Sequence, residues 1–221
     1  MKKVGVLLSG CGVQDGSEIH EAVVTLLALD RAGVEAICMA PDVEQPRVVD
    51  HVTGKAQKGD RRNVLHESAR IARGKIRDLA SVHARELDAL VLPGGFGAAT
   101  NLCDFATAGA DAKVNPEVMR LVTEVHAQKK PLGFMCIAPA LAAAIFRGSG
   151  VRPRLTVGDD GATAHAMEQM GATHVKRGVD EIEVDEANRI VSTPAYMLAD
   201  RISDAAIGIE RLVKKIVEMA G

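Results

Sequence analysis

Apolar positions along this chain alternate between short unbroken runs and helical stripes. Residues 4–8 form an apolar run of strand length, closed by the turn Ser9-Gly10-Cys11-Gly12. Ser17 suits an N-cap. Between residues 18 and 32, Ile19, Ala22, Val23, Leu26 and Leu27 fall on one helical face. Gly33 ends that helix, and residues 34–39 make the next strand, stopped by Pro41. This opening is a βαβ unit, which builds parallel sheet. Residues 41–86 are less regular: Val48, Val49 and Val52 suggest a short strand or hairpin with Gly54 in the turn, and residues 63–73 a helix stopped at Gly74.

The later pattern is clearer. Residues 89–92 and 132–135 read as buried strands. Residues 115–128 read as a helix with Asn115 as N-cap and Pro116 at its first position. Residues 137–146 form the next helix. Residues 182–184 and 189–192 pair as a hairpin around 185–188, and residues 202–219 close the chain as an amphipathic helix. The whole predicts one α/β domain over residues 1–221 with a mainly parallel central sheet.

In such a sheet, ligands bind at the carboxyl ends of the strands. Three segments fall there: Ser9-Gly10-Cys11-Gly12, Gly94-Gly95-Phe96-Gly97 and Cys136-Ile137-Ala138-Pro139. Cys136 sits where a strand runs without a spacer into a helix. That is nucleophile-elbow geometry, although the hydrolase GxSxG pattern is not met. The following helix N-terminus would favour the thiolate. A buried structural cysteine is the other reading. The backbone N–H groups of Gly94 and Gly95 are placed to face an oxyanion near Cys136, unless they form an ordinary turn. Glu18, opening the first helix, is a proton shuttle to Cys136 or else an exposed carboxylate on the helix dipole, with Glu21 and Asp15 as weaker competitors. His20 stays a candidate through its closeness to Glu18.

Composition narrows the options. With 221 residues, 47% hydrophobic, 25% charged and a net charge of −2, the chain fits a soluble domain with no overall pull toward DNA or anionic membranes. Aromatic content of 2% argues against a stacking platform for single-stranded nucleic acid. The basic residues Arg61, Arg62, Arg70, Arg73, Lys75 and Arg77 read as a solvated helix face. No membrane span, signal-peptide cleavage pattern or metal spacing is present, and Cys11, Cys38, Cys103 and Cys136 lack CxxC pairing. A cytoplasmic protein with free thiols and neither metal nor cofactor is expected. The Gly10–Gly16 loop does not match a dinucleotide fingerprint, because its third glycine comes one residue late.

Five segments carry a resemblance over nearly the whole chain: residues 8–12, 15–21 (DGSEIHE), 92–98 (LPGGFGA), 133–140 (GFMCIAPA) and 193–197 (TPAYM). The chain resembles the ElbB-like, glutamine-amidotransferase-like branch of the PfpI superfamily, which includes the Parkinson-disease protein seven. The resemblance implies a flavodoxin-like three-layer sandwich of the class I glutamine-amidotransferase type, a reactive Cys136, a helper Glu18 and an oxyanion site from the backbone of Gly95 and Ile137. It further implies cofactor-free conversion of glyoxal to glycolate, a link to isoprenoid biosynthesis, and a homodimer. Amidotransferases and PfpI-type peptidases place a His after the nucleophile or in a downstream triad. Here Ile137 follows Cys136, residues 156–159 hold no His, and His165 is not followed by x-Glu. Glutamine or peptide hydrolysis is therefore not expected. A redox sensor using an oxidisable Cys136 is the competing, non-enzymatic expectation.

Overall fold

The computed structural model describes all 221 residues. In chain order the elements are β1 (Lys3–Leu7), α1 (Ile19–Arg31), β2 (Glu35–Ala40), β3 (Val49–Asp50), β4 (Lys55–Ala56), α2 (Val64–Ile71), β5 (Ile76–Asp78) and β6 (Ala89–Leu92). Then follow α3 (Phe96–Thr100), α4 (Phe105–Ala108), α5 (Pro116–Ala127), β7 (Leu132–Met135), α6 (Ala138–Phe146), β8 (Arg154–Leu155), α7 (Gly161–Gln169), β9 (Thr173–His174), β10 (Glu183–Asp185), β11 (Ile190–Thr193) and α8 (Ile202–Met219). A seven-stranded sheet runs β10-β11-β7-β6-β1-β2-β5, and only the edge pair β10–β11 is antiparallel. This is the α/β, mainly parallel architecture that the residue pattern predicts.

Side-chain alternation along the strands splits the core in two. Leu7, Leu90, Leu92, Leu132 and Phe134 point to one face and pack with α5 and α6 through Leu121, Val125, Leu141 and Ile145. Val4, Val6, Ala89, Val91 and Met135 point to the other and pack with α1 and α8 through Ala22, Leu29, Ile209, Leu212 and Ile216. All nine residues of α6 are buried, as expected of a helix that is apolar all round. Asn115 caps α5 with Pro116 in its first turn, and β3–β4 form the short hairpin anticipated around Gly54.

Two local expectations fail. The buried residues of α1 are Glu21, Ala22, Val24, Thr25 and Leu29, while Ile19, Val23 and Leu27 stay 41–48% exposed. This helix has apolar residues on both sides, so spacing alone does not select the face that meets the sheet. Nor is Ser17 the cap. Glu18 is, accepting a hydrogen bond from the Glu21 backbone N–H at 2.7 Å. The Ser17 hydroxyl instead accepts from the Ser9 backbone N–H at 2.8 Å and helps fold the loop after β1.

Four of the six residues of the basic run in residues 61–77 pair with neighbouring carboxylates. Arg62 and Arg70 meet Glu67, Arg61 meets Glu44, and Arg77 meets Glu86. No helix is long and apolar enough to cross a membrane.

Candidate active site around Cys136

The carboxyl ends of β1, β6 and β7 converge. The loop after β1 is pinned by Asn101, whose side-chain amide donates to the carbonyls of Ser9 and Asp15 at 2.7 and 2.8 Å. Gln45 donates to the same Asp15 carbonyl. The buried Asp15 carboxylate accepts from the Val49 N–H at 2.7 Å, so this residue holds the loop and does not face the sulfur. The loop then latches onto the turn after β6. Glu18 N–H donates to the Gly94 carbonyl, Gly97 N–H to Gly16, and Phe96 N–H to Val13. Gly95 makes this latch possible. Its φ is +89°, and a Cβ there would lie 2.3 Å from both Glu18 N and Gly16 O.

Cys136 follows β7 directly with φ +59°. That left-handed conformation costs a non-glycine residue about 1–2 kcal/mol and swings the side chain out of the strand, as an elbow requires. A second strained residue, buried Ala195 at φ +45°, follows β11 beside the same site. Arg73, Lys129 and Arg189 share this conformation at less buried positions elsewhere, and Cys136 and Ala195 are the buried residues that adopt it. The Cys136 thiol is 8% exposed. The backbone N–H groups of Gly95 and Ile137 point at its sulfur. These are the backbone groups of the two residues that the resemblance names for an oxyanion site.

The carboxyl group at Cys136 is not the one expected. Glu21, fully buried in the first turn of α1, hydrogen-bonds the cysteine. One of its oxygens accepts from Gly94 N–H at 2.8 Å and the other from Tyr196 N–H at 3.3 Å. Gly94 is therefore not an oxyanion donor: its N–H is spent on Glu21. Glu18, the N-cap three residues earlier, acts on the site through Glu21, by accepting its N–H and by its negative charge. The helix periodicity puts both residues near the sheet end. The competition between them is decided by which one turns inward, and the buried face of α1 begins at Glu21.

The electrostatics reverse a second expectation. Burial and the neighbouring Glu21 carboxylate push the Cys136 thiol well up, and the donors Gly95 and Ile137 do not offset them. Glu21 is itself pushed up to about 7 by burial and by Glu18. The thiol therefore holds its proton more tightly than Glu21 does, and the resting site carries a buried thiol and not a free thiolate.

On its open side Cys136 floors a pocket of about 330 Å³ lined by Val13, Gly95, Phe96, Ala99, Phe105, Ala106, Ile137, Asp160, Thr163 and Met197. The lining contains no histidine. The only ring pair near the dyad is His20–Tyr196, joined at 2.7 Å, with His20 Nδ1 3.9 Å from Glu18. No cluster of residues suited to a metal ion is present, and all four cysteines are free thiols. Phe96 and Ile137 lie in segments singled out from the sequence, whereas Ala99, Phe105 and Ala106 escaped it because they belong to short helices with no motif. The 193–197 motif was the one available signal for Tyr196 and Met197.

No known family model matches the chain. It is 47% identical to the rat mitochondrial ES1 protein homolog over 228 residues, covering 99% of this chain and 84% of that protein. Identity and coverage are the same for the human mitochondrial glutamine amidotransferase-like class 1 domain-containing protein 3. A crystal structure of an isoprenoid biosynthesis protein with an amidotransferase-like domain from Ehrlichia chaffeensis is 37% identical, covers 98% of this chain and 99% of that one, and superposes with a TM-score of 0.91. The fold recurs at lower identity in solved DJ-1-superfamily structures. These relatives overturn the cytoplasmic expectation: the rat and human proteins are mitochondrial.

Proposed function

We propose that this chain, which belongs to the ES1 and glutamine amidotransferase-like class 1 domain-containing protein 3 family within the ElbB-like, DJ-1/PfpI superfamily, is a cofactor-independent glyoxalase-type enzyme. The observation that carries this reading is the pairing of Cys136 and Glu21 beneath the N–H groups of Gly95 and Ile137. The Cys136 sulfur adds to one aldehyde carbon of glyoxal and its proton passes through Glu21 to the aldehyde oxygen, giving a hemithioacetal and returning Glu21 to its carboxylate form. Glu21 removes the proton from that carbon, and the resulting enediol is protonated on the neighbouring carbon. The product is a glycolyl thioester, in which one carbon has been oxidised and the other reduced, so no external oxidant is needed. Water releases glycolate and restores the thiol. The Gly95 and Ile137 N–H groups stabilise the oxyanions formed on addition and hydrolysis.

Without a histidine on the pocket lining, Glu21 must serve as both acid and base, and turnover is slow. Glutamine hydrolysis lacks its usual proton carrier here. The Ehrlichia relative's role in isoprenoid biosynthesis extends to this chain as part of the same proposal. A redox sensor needs an exposed thiolate, and burial and Glu21 both work against one at Cys136.

The test is glyoxal consumption and glycolate formation by wild type and Cys136→Ala. Loss of turnover in the variant supports the mechanism, and an undiminished rate excludes it.

A further inference from the structure

We propose that the preferred substrate is a 2-oxoaldehyde carrying an apolar chain of several carbons, seated against Val13, Phe96, Phe105, Ala106, Ile137 and Met197. The proposal rests on the glyoxalase-type reading and narrows its substrate class.

Size is the first argument. The pocket over Cys136 measures about 330 Å³. Glyoxal has four heavy atoms, which at about 30 Å³ for a water-sized group fill on the order of 100 Å³. Pockets of roughly 300 Å³ and above are the size that encloses larger organic ligands. The second argument is chemical character. Asp160 is the only charged side chain on the lining, and its carboxylate is turned to capping α7 through Thr163 N–H at 2.7 Å. No lysine, arginine or histidine faces the sulfur, so a 2-oxo acid would find no counter-charge and would meet Asp160 instead.

The third argument is unsatisfied apolar surface. Val13 is 45% and Phe96 49% exposed, and both stand at this mouth. A bound chain would cover them. Orientation follows from the floor: the aldehyde carbon must lie at the sulfur, so the remainder of the molecule runs outward past Phe96. A second hollow of about 290 Å³ shares Phe96, Ala99 and Ala106 with the first, but Arg47, Thr100 and Asp104 make its far side polar, so the apolar seat ends at Phe96 and Ala106.

The chemistry balances as for glyoxal. The sulfur adds to the aldehyde of R-CO-CHO, one proton moves from the first carbon to the second, and water cleaves the thioester to R-CH(OH)-COOH and the free thiol. Phe96 is assigned as the main specificity-determining side chain.

The experiment is kcat/KM for glyoxal, methylglyoxal and linear alkylglyoxals up to six chain carbons, on the full chain. Burial of each methylene predicts a rise of roughly two- to fourfold per carbon in this half-open pocket. Phe96→Ala should flatten the slope. Should that variant fold poorly, Ala106→Glu, at an exposed position, should flatten it equally. A series that stays flat or falls with chain length overturns the proposal while leaving the glyoxalase reading in place. A second arm does not depend on turnover: protection of Cys136 from iodoacetamide by primary alcohols from ethanol to hexanol. Protection that strengthens with each carbon supports the apolar seat, and protection independent of length overturns it. If no aldehyde is turned over, the glyoxalase reading fails, and the alcohol series still decides the character of the pocket.

Discussion

The two sides of Cys136 are built on opposite plans. On one side stands a wall built around a hydrogen-bonded carboxylate. Glu21 receives Gly94 N–H, Tyr196 N–H and the cysteine, Glu18 receives Glu21 N–H, and the whole is buried. On the other side is an open apolar wall of Val13, Phe96, Phe105 and Ala106, none of which has a polar group to satisfy. Buried polar networks are costly to disturb and tolerate few geometries, because each unpaired member loses its partner without gaining water. Open apolar surface tolerates many shapes and discriminates by size and contact. The difference assigns the chemistry to the closed wall and the choice of substrate to the open one.

The largest break in that comparison, short of removing Cys136 itself, is Glu21→Gln. It keeps the shape and removes the proton carrier, so turnover should fall ~10²–10⁴-fold. The pH profile sharpens the test. With its pKa raised to about 7, Glu21 gains its base form only as pH climbs through that value. Wild-type kcat/KM should therefore rise to a plateau above about pH 7, and the variant should lose that limb. Alkylation of Cys136 should move the opposite way. Removing the Glu21 charge lowers the thiol toward its ordinary range, so iodoacetamide should react several-fold faster at pH 8. A variant that slows both reactions would mean that Glu21 only supports the fold.

Next in size is Gly94→Ala. A Cβ at Gly94 would lie 2.4 Å from the Cys136 Cβ and 2.8 Å from a Glu21 oxygen. No side chain can yield there without moving the dyad. Overpacking of this kind costs about 1–3 kcal/mol, which for a chain of this size is a drop in Tm of roughly 2–12 °C. The same methyl on the open wall should cost nothing measurable. If Gly94→Ala melts like wild type and keeps its activity, the closed wall is looser than its hydrogen bonds suggest.

Legibility in the sequence followed the same division. The strands at 89–92 and 132–135, the capped helix at 116–127 and the closing helix at 202–219 were readable because their apolar patterns are long or their caps explicit. Cys136 was placed because a strand meeting a helix without a spacer leaves one geometry for the junction; Gly95 was singled out as part of a glycine turn, and Ile137 came from the resemblance alone. The short β5, β8 and β9 and the helix α7 were not, since two- and three-residue strands carry no period. The choice of Glu18 over Glu21 failed for a related reason. Both lie in the first turn of α1, and the rotation of a helix that is apolar on both sides is set by packing against α8 and the sheet. The raised thiol pKa was invisible because it depends on burial and on that same rotation.

The smallest effect is the one that separates the two carboxylates. Glu18→Gln keeps an oxygen to accept the Glu21 N–H, so the cap of α1 survives. It removes the negative charge that helps hold Glu21 high. The Glu21 pKa should then fall toward the ordinary carboxylate value of 4.5, and the rising limb of kcat/KM should move to lower pH. At pH 8, where Glu21 is already ionised in both proteins, the rates should agree within a few-fold. At pH 6 the variant should be the faster enzyme. A catalytic shuttle at Glu18 predicts the reverse, a loss of ~10²-fold or more at every pH. The sign of the change at pH 6 therefore decides whether the closed wall has one proton carrier tuned by a neighbour or two carriers in series.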